Sequence, residues 1–140
     1  MKQFIFIAVV VWCVVSCRPK DTQHPVADLI HASPESEEVY VVYFYGKQRC
    51  VTCNSIETLA QETVKKHFDT HQNVQFLTVD FSDRANRDIA NHFQIAWNSL
   101  IVVHQDQHVN LTDIAFLKVL SHPEGLEQAL IQSIREYLEK

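Results

Sequence analysis

Glycine, proline and methionine are scarce in this chain, and so is clustered positive charge. Two glycines, four prolines and one methionine in 140 residues exclude a collagen-like, Gly/Pro-rich or otherwise low-complexity chain. With 46% hydrophobic residues, the scarcity of breakers argues for a compact fold with short loops. Twelve basic residues against seventeen acidic ones give a net charge of −5, and no basic run stands out. A nucleic-acid-binding role, which needs a positive footprint, is excluded on that ground. Also missing are a Ser-His-Asp order, a phosphate-binding loop and a flavin or nicotinamide fingerprint. Length allows one domain with a sizeable core.

The one long apolar run is at the start. After Lys2, residues Phe4 to Ser16 form 13 consecutive apolar or small residues. That is short of the ~20 residues a bilayer span requires and suits the apolar centre of a signal peptide. Residues 1–16 are therefore read as an export signal. The segment Val14-Val-Ser-Cys17 resembles a bacterial lipobox, which implies cleavage before Cys17 and lipidation of it. Residues 17–37 hold three of the four prolines, are mostly polar and lack a sustained period, so they read as a flexible tether. Some 20 extended residues at ~3.5 Å each reach at most about 70 Å from a membrane. The expected location is the bacterial cell envelope, lipid-anchored and facing the periplasm or the exterior.

Of four cysteines, Cys13 would leave with the signal and Cys17 would be blocked by lipid. Cys50 and Cys53 would then be the mature protein's free thiols, in a compartment that permits disulfides. They follow a strand-like run, Tyr40-Val-Val-Tyr-Phe-Tyr45, and a polar turn, Gly46-Lys-Gln-Arg49. From Cys50 to about Phe68 the apolar positions Cys53, Ile56, Leu59, Ala60, Val64 and Phe68 recur at helical spacing. A helix N-terminus aims backbone N–H groups at Cys50, which favours the reactive thiolate. Cys53, three positions on, shares that helical face and is placed to close a disulfide.

Three readings of the pair stand side by side. The first is a reversible exchange centre, with Cys50 attacking and Cys53 resolving. The second is a static staple, although so small a loop gains little from closure. The third reading is a dithiol that binds a soft metal or arsenite, although two thiolates leave zinc short of its usual four ligands. No metal site and no resident cofactor are expected. His67, His71, His104 and His108 read as solvated surface histidines.

Further along, Val74–Phe81 reads as a strand, Ser82-Asp83 as the cap of a helix through Ile89, Ala90 and Phe93, and Ser99–His104 as another strand. Gln105–Val109 looks like the turn into an antiparallel partner, Thr112 or Asp113 like the cap of a short helix, and Pro123 like the first residue of the final one. The order β-α-β-α-β-β-α, with Cys-x-x-Cys opening the first helix after a buried strand, resembles the thioredoxin fold, an α/β class with a central mixed sheet, over residues 38–140. More closely, Tyr-Phe-Tyr-Gly-Lys-Gln-Arg-Cys-x-Thr-Cys-x-x-Ile-Glu and the later Asn-Leu-Thr-Asp-x-Ala-Phe are similar to the small thioredoxin-like lipoproteins of the ArsF family of nitrophenyl-compound nitroreductase subunits.

That resemblance implies a thiol–disulfide oxidoreductase or electron-transfer protein working with a protein redox partner such as a membrane electron carrier. The alternative is a non-catalytic thioredoxin-fold subunit of a nitroreductase-associated membrane complex, whose flavin would sit on another subunit. Against thioredoxin itself, Arg49, Val51 and Thr52 replace the Trp and Gly-Pro around the first cysteine. Phe44 and Phe76 replace the buried acid and its lysine. Asn98 replaces the cis-proline, so a trans bond or an altered loop is expected there. Trp97 and Asn98 are expected to line the face that carries the cysteines.

Overall fold

The computed structural model describes residues 36–140. The expected signal segment, Cys17 and all but the last two residues of the expected tether lie outside the described residues. None of the described helices is long and apolar enough to cross a membrane.

Four strands form one mixed sheet in the order β2-β1-β3-β4. Strand β1, Val39–Tyr45, is buried along nearly its whole length, as a run apolar on both faces requires. It pairs in parallel with β2, Val74–Asp80, and antiparallel with β3, Ser99–His104. Strand β4, Gln107–Asn110, pairs antiparallel with β3 and forms the sheet edge. The helices are α1, Val51–Phe68; α2, Arg87–His92; α3, Thr112–Lys118; and α4, Pro123–Leu138. A 3-10 turn at Arg84–Asn86 leads into α2.

Alternation along β1 divides the core into two layers. Val39, Val41 and Tyr43 face α1, α3 and α4, where Ile56, Ala60, Ala115, Leu126, Leu130 and Ile134 are all fully buried. Tyr40, Val42 and Phe44 face the other way, against Val79, Ile89, Phe93, Ile101 and Val103. Strands β2 and β3 thus hold β1 on both sides up to its end at Tyr45, five residues before Cys50.

The local chemistry matches several expectations. Asp83 accepts the Ala85 N–H at 3.0 Å and caps the 3-10 turn, and Pro123 opens α4. The cap of α3 differs. Asn110 Oδ1 accepts the Thr112 N–H at 2.9 Å, while the buried Thr112 hydroxyl accepts the Leu100 N–H of β3 at 3.0 Å. Thr112 is drawn into the sheet, the N-cap is Leu111 without a side-chain bond, and the free Thr112 N–H is taken up by Asn110, the last residue of β4. The expected Gln105–Val109 turn is also shorter, with only Gln105 and Asp106 joining β3 to β4 and Gln105 at φ 54°. A glycine would suit that left-handed position better, and its absence hid the tight turn. His104, expected at the surface, is buried: Nδ1 lies 3.1 Å from the Glu38 carbonyl and the ring lies beside Tyr137.

Gly125, an unfavourable residue early in a helix, has a packing reason. A Cβ there would come within 2.9 Å of Lys118 Cδ, so the glycine lets the α3 lysine lie across the start of α4. At the opposite end of α1, Lys66 and His67 both reach Glu127 of α4 at 2.8 Å. Those hydrogen bonds hold the Glu127 carboxyl below the usual carboxylate range.

Candidate functional site: a disulfide beside an asparagine

Cys50 is the N-cap of α1, in extended backbone geometry with φ −98° and ψ 167°. Its Sγ accepts the Cys53 N–H at 3.1 Å, and its carbonyl accepts the Asn54 N–H at 3.0 Å. The first turn of α1 carries no acidic residue, so nothing in that turn opposes the positive end of the helix dipole. Cys50 and Cys53 are joined by a disulfide with their Cα atoms 5.0 Å apart. The two sulfurs are unequal in access: Cys50 is exposed, whereas Cys53 is 5% exposed. Val51 between them is exposed and Thr52 half-buried.

Opposite the disulfide stands Asn98, immediately before β3, and the described residues contain no cis peptide bond. Its side chain spans two segments. Oδ1 accepts the Gly46 N–H at 2.9 Å, and Nδ2 donates to Cys53 Sγ at 3.1 Å. Trp97 beside it is half-exposed and packs on Phe116 of α3 with ring centroids 5.4 Å apart. Together these groups and Phe81 border an open cleft of about 580 Å³ that reaches Cys53. Gly46 permits its narrow side, since a Cβ there would fall 2.8 Å from Phe81 Cζ. Trp97 and Asn98 both border the cleft, and Asn98 touches Cys53. Phe81 was not foreseen as part of the site, while Phe116 belongs to the Asn-Leu-Thr-Asp-x-Ala-Phe stretch already singled out.

Arg49, adjacent to Cys50 in the chain, is not a free positive charge. Its guanidinium lies 3.9 Å over the Tyr45 ring and pairs with Glu57 one face along α1. The pair draws the charge along the helix and offsets much of it. Phe44 and Phe76 lie on opposite faces of the sheet and do not form a facing pair: Phe44 is wholly enclosed in the layer with Val79 and Phe93, and Phe76, level with Val41, packs on the α1 side. At the end of β2, Asp80 accepts both the Ser82 N–H and the Ser82 hydroxyl, which lowers its carboxyl. Among the described residues no cluster of three metal-ligating side chains is present.

Beneath α1, the Tyr43 hydroxyl is buried and lacks a hydrogen-bond partner among the described residues. Burial, reinforced by the Glu57 carboxylate and opposed by Arg49, pushes its phenol from 10.0 up to about 12. Below pH 10 the proton is held in folded and unfolded chains alike. Between pH 10 and 12 the unfolded chain releases it and the folded one does not, so stability is lost as pH rises, by about 2–3 kcal/mol in all. Tyr43→Phe is expected to leave stability at pH 7 unchanged or about 1 kcal/mol higher and to flatten this alkaline loss. Urea midpoints at neutral pH and near pH 11 test it. An equally steep alkaline fall in the variant would place the loss elsewhere.

No protein-family model matches the chain, and no curated protein matches it. Among solved structures, human ERp44 form I superposes with a TM-score of 0.50 at 17% identity, covering 84% of this chain and 28% of that one. The zinc-bound form of human ERp44 gives 0.49 at 20% identity over 83% and 29%. The chain therefore spans less than a third of the length of these neighbours. With its mixed four-stranded sheet, flanking helices and Cys-x-x-Cys disulfide at the start of α1, the chain has the thioredoxin fold.

Proposed function

We propose that this chain is a membrane-anchored thiol–disulfide oxidoreductase or electron-transfer protein of the bacterial cell envelope, working through Cys50 and Cys53. The observation that carries the reading is the unequal pair: an exposed sulfur at a helix N-cap bonded to a buried one. In the reducing direction the Cys50 thiolate attacks a partner's disulfide, forming one S–S bond and releasing a partner thiolate. The Cys53 thiolate then attacks Cys50 of the mixed disulfide, and the partner leaves with two electrons gained. No resident cofactor enters either step.

A protein partner, such as a membrane electron carrier, suits the surroundings. Val51, Trp97, Leu117 and Leu120 are 76%, 52%, 74% and 63% exposed, and they are the large apolar side chains exposed among the described residues. Val51 adjoins the attacking cysteine, Trp97 walls the cleft, and the two leucines lie on the stretch that carries Phe116. Anchoring rests on the lipobox-like Val14-Val-Ser-Cys17. The ArsF-like motifs extend the reading to a partner that reduces nitroaromatic compounds and carries its own flavin.

Trapping tests the proposal. Full-length protein with Cys53→Ala, expressed in its own envelope, is expected to accumulate a mixed disulfide through Cys50 that dissolves on reduction. A Cys50–Cys53 potential below about −300 mV together with no trapped species would make the bond a structural staple and overturn the reading.

A further inference from the structure

Asn98 does more than fill the place of a proline. We infer that its side-chain amide is a catalytic group that receives the negative charge developing on Cys53, a role resting on the redox reading above. The orientation of an asparagine amide is fixed only by its partners. Here the Gly46 backbone N–H needs an acceptor, so Oδ1 is held on that side, 2.9 Å away. The NH₂ group is thereby turned to Cys53 Sγ, 3.1 Å away.

When an incoming thiolate attacks the exposed Cys50 sulfur, a new S–S bond forms and the Cys50–Cys53 bond breaks. Its electron pair leaves on Cys53 Sγ as a thiolate. That sulfur is 5% exposed, so bulk water solvates it poorly. Six residues before Cys50, where thioredoxin carries an acid, stands Phe44, enclosed among apolar side chains. Among the described residues the Asn98 N–H is the side-chain donor on this sulfur. It is already in place before the bond breaks, as a fixed dipole aimed at developing charge must be. In the return direction the same contact favours the Cys53 thiolate that resolves the mixed disulfide.

Two substitutions separate this role from loop support. Asn98→Ala removes both contacts. Asn98→Asp keeps an acceptor for the Gly46 N–H and replaces the donor with a carboxylate. The disulfide of the full-length chain is reduced with an excess of 2-mercaptoethanol, quenched with acid and alkylated, and the Cys50–Cys53 peptide is read by mass spectrometry, so that Cys13 and Cys17 do not interfere. Both variants are expected to be reduced about ten- to a hundredfold more slowly than the native chain, the size of one hydrogen bond to a charged group. The equilibrium in a glutathione buffer is expected to move toward the disulfide in both.

Loss of fold would expose Cys53 and speed reduction, so a slowed rate is not a symptom of unfolding. An Asp variant reduced as fast as the native chain or faster overturns the role, whatever Ala does. A native disulfide that resists excess thiol overturns the oxidoreductase reading instead, which keeps the two failures apart.

Discussion

Phe44→Asp, which restores an acid at the position where thioredoxin carries one, is expected to remove most of the stability of the domain. Phe44 is fully buried in the central strand. Its ring packs on Phe93 with centroids 6.1 Å apart and shares a layer with Val79, Ile89 and Ile101. Truncating such a phenylalanine costs about 3–5 kcal/mol through lost burial and the cavity left behind. A carboxyl in its place adds the desolvation of a polar group among apolar side chains. Against a typical total of about 5–15 kcal/mol, the sum leaves little or nothing. Denaturant melts of Phe44→Asp and of Phe44→Leu, which should lose only ~1 kcal/mol, check it. An Asp variant that melts within a few degrees of the native chain would mean that a counter-charge reaches the site.

The same residue shows how far the sequence could be read. Apolar side chains on both faces of Tyr40–Tyr45 marked a central strand, and the helical recurrence after Cys50 marked α1, because each pattern is local and repeats. The phenylalanine at the acid position was visible by counting back from Cys50. What no local pattern reveals is which distant groups meet. Asn98 lies 45 residues from Cys53 and 52 from Gly46, and its two hydrogen bonds exist only once β1 and β3 are paired. Arg49 could be placed beside Cys50 by adjacency, but its pairing with Glu57 and its seat on Tyr45 depend on how the loop leaves the strand. Thr112 looked like a cap and serves the sheet instead, because burial gave its hydroxyl a backbone partner in β3. His104 is buried by equally distant groups: the Glu38 carbonyl meets its Nδ1 and Tyr137 of α4 covers the ring.

The largest kinetic effect should separate the two cysteines. Cys50→Ser is expected to lower reaction with a disulfide-containing peptide by on the order of a thousandfold, whereas Cys53→Ser should keep the first attack and stall at the mixed disulfide. The difference follows from access. An approaching disulfide can meet the exposed sulfur at the α1 N-cap directly, but Cys53 lies beneath it with Asn98 on one side and the helix on the other. For Cys53 to attack in place of Cys50, the buried residue must be uncovered, by opening of the cleft wall beside it or of the start of α1. If that opening costs about 4 kcal/mol, within the range of local unfolding in a domain of ordinary stability, the competent fraction is about 10⁻³. Serine at Cys53 leaves the helix start and the attacking sulfur in place but removes the group that completes the cycle. Mass spectrometry of each full-length variant after a single mixing with the peptide distinguishes the outcomes: a stable adduct on Cys50 for Cys53→Ser, and almost none on Cys53 for Cys50→Ser. Equal adduct formation by both would show that burial does not govern the order of attack, and the assignment of Cys50 as nucleophile would fall with it.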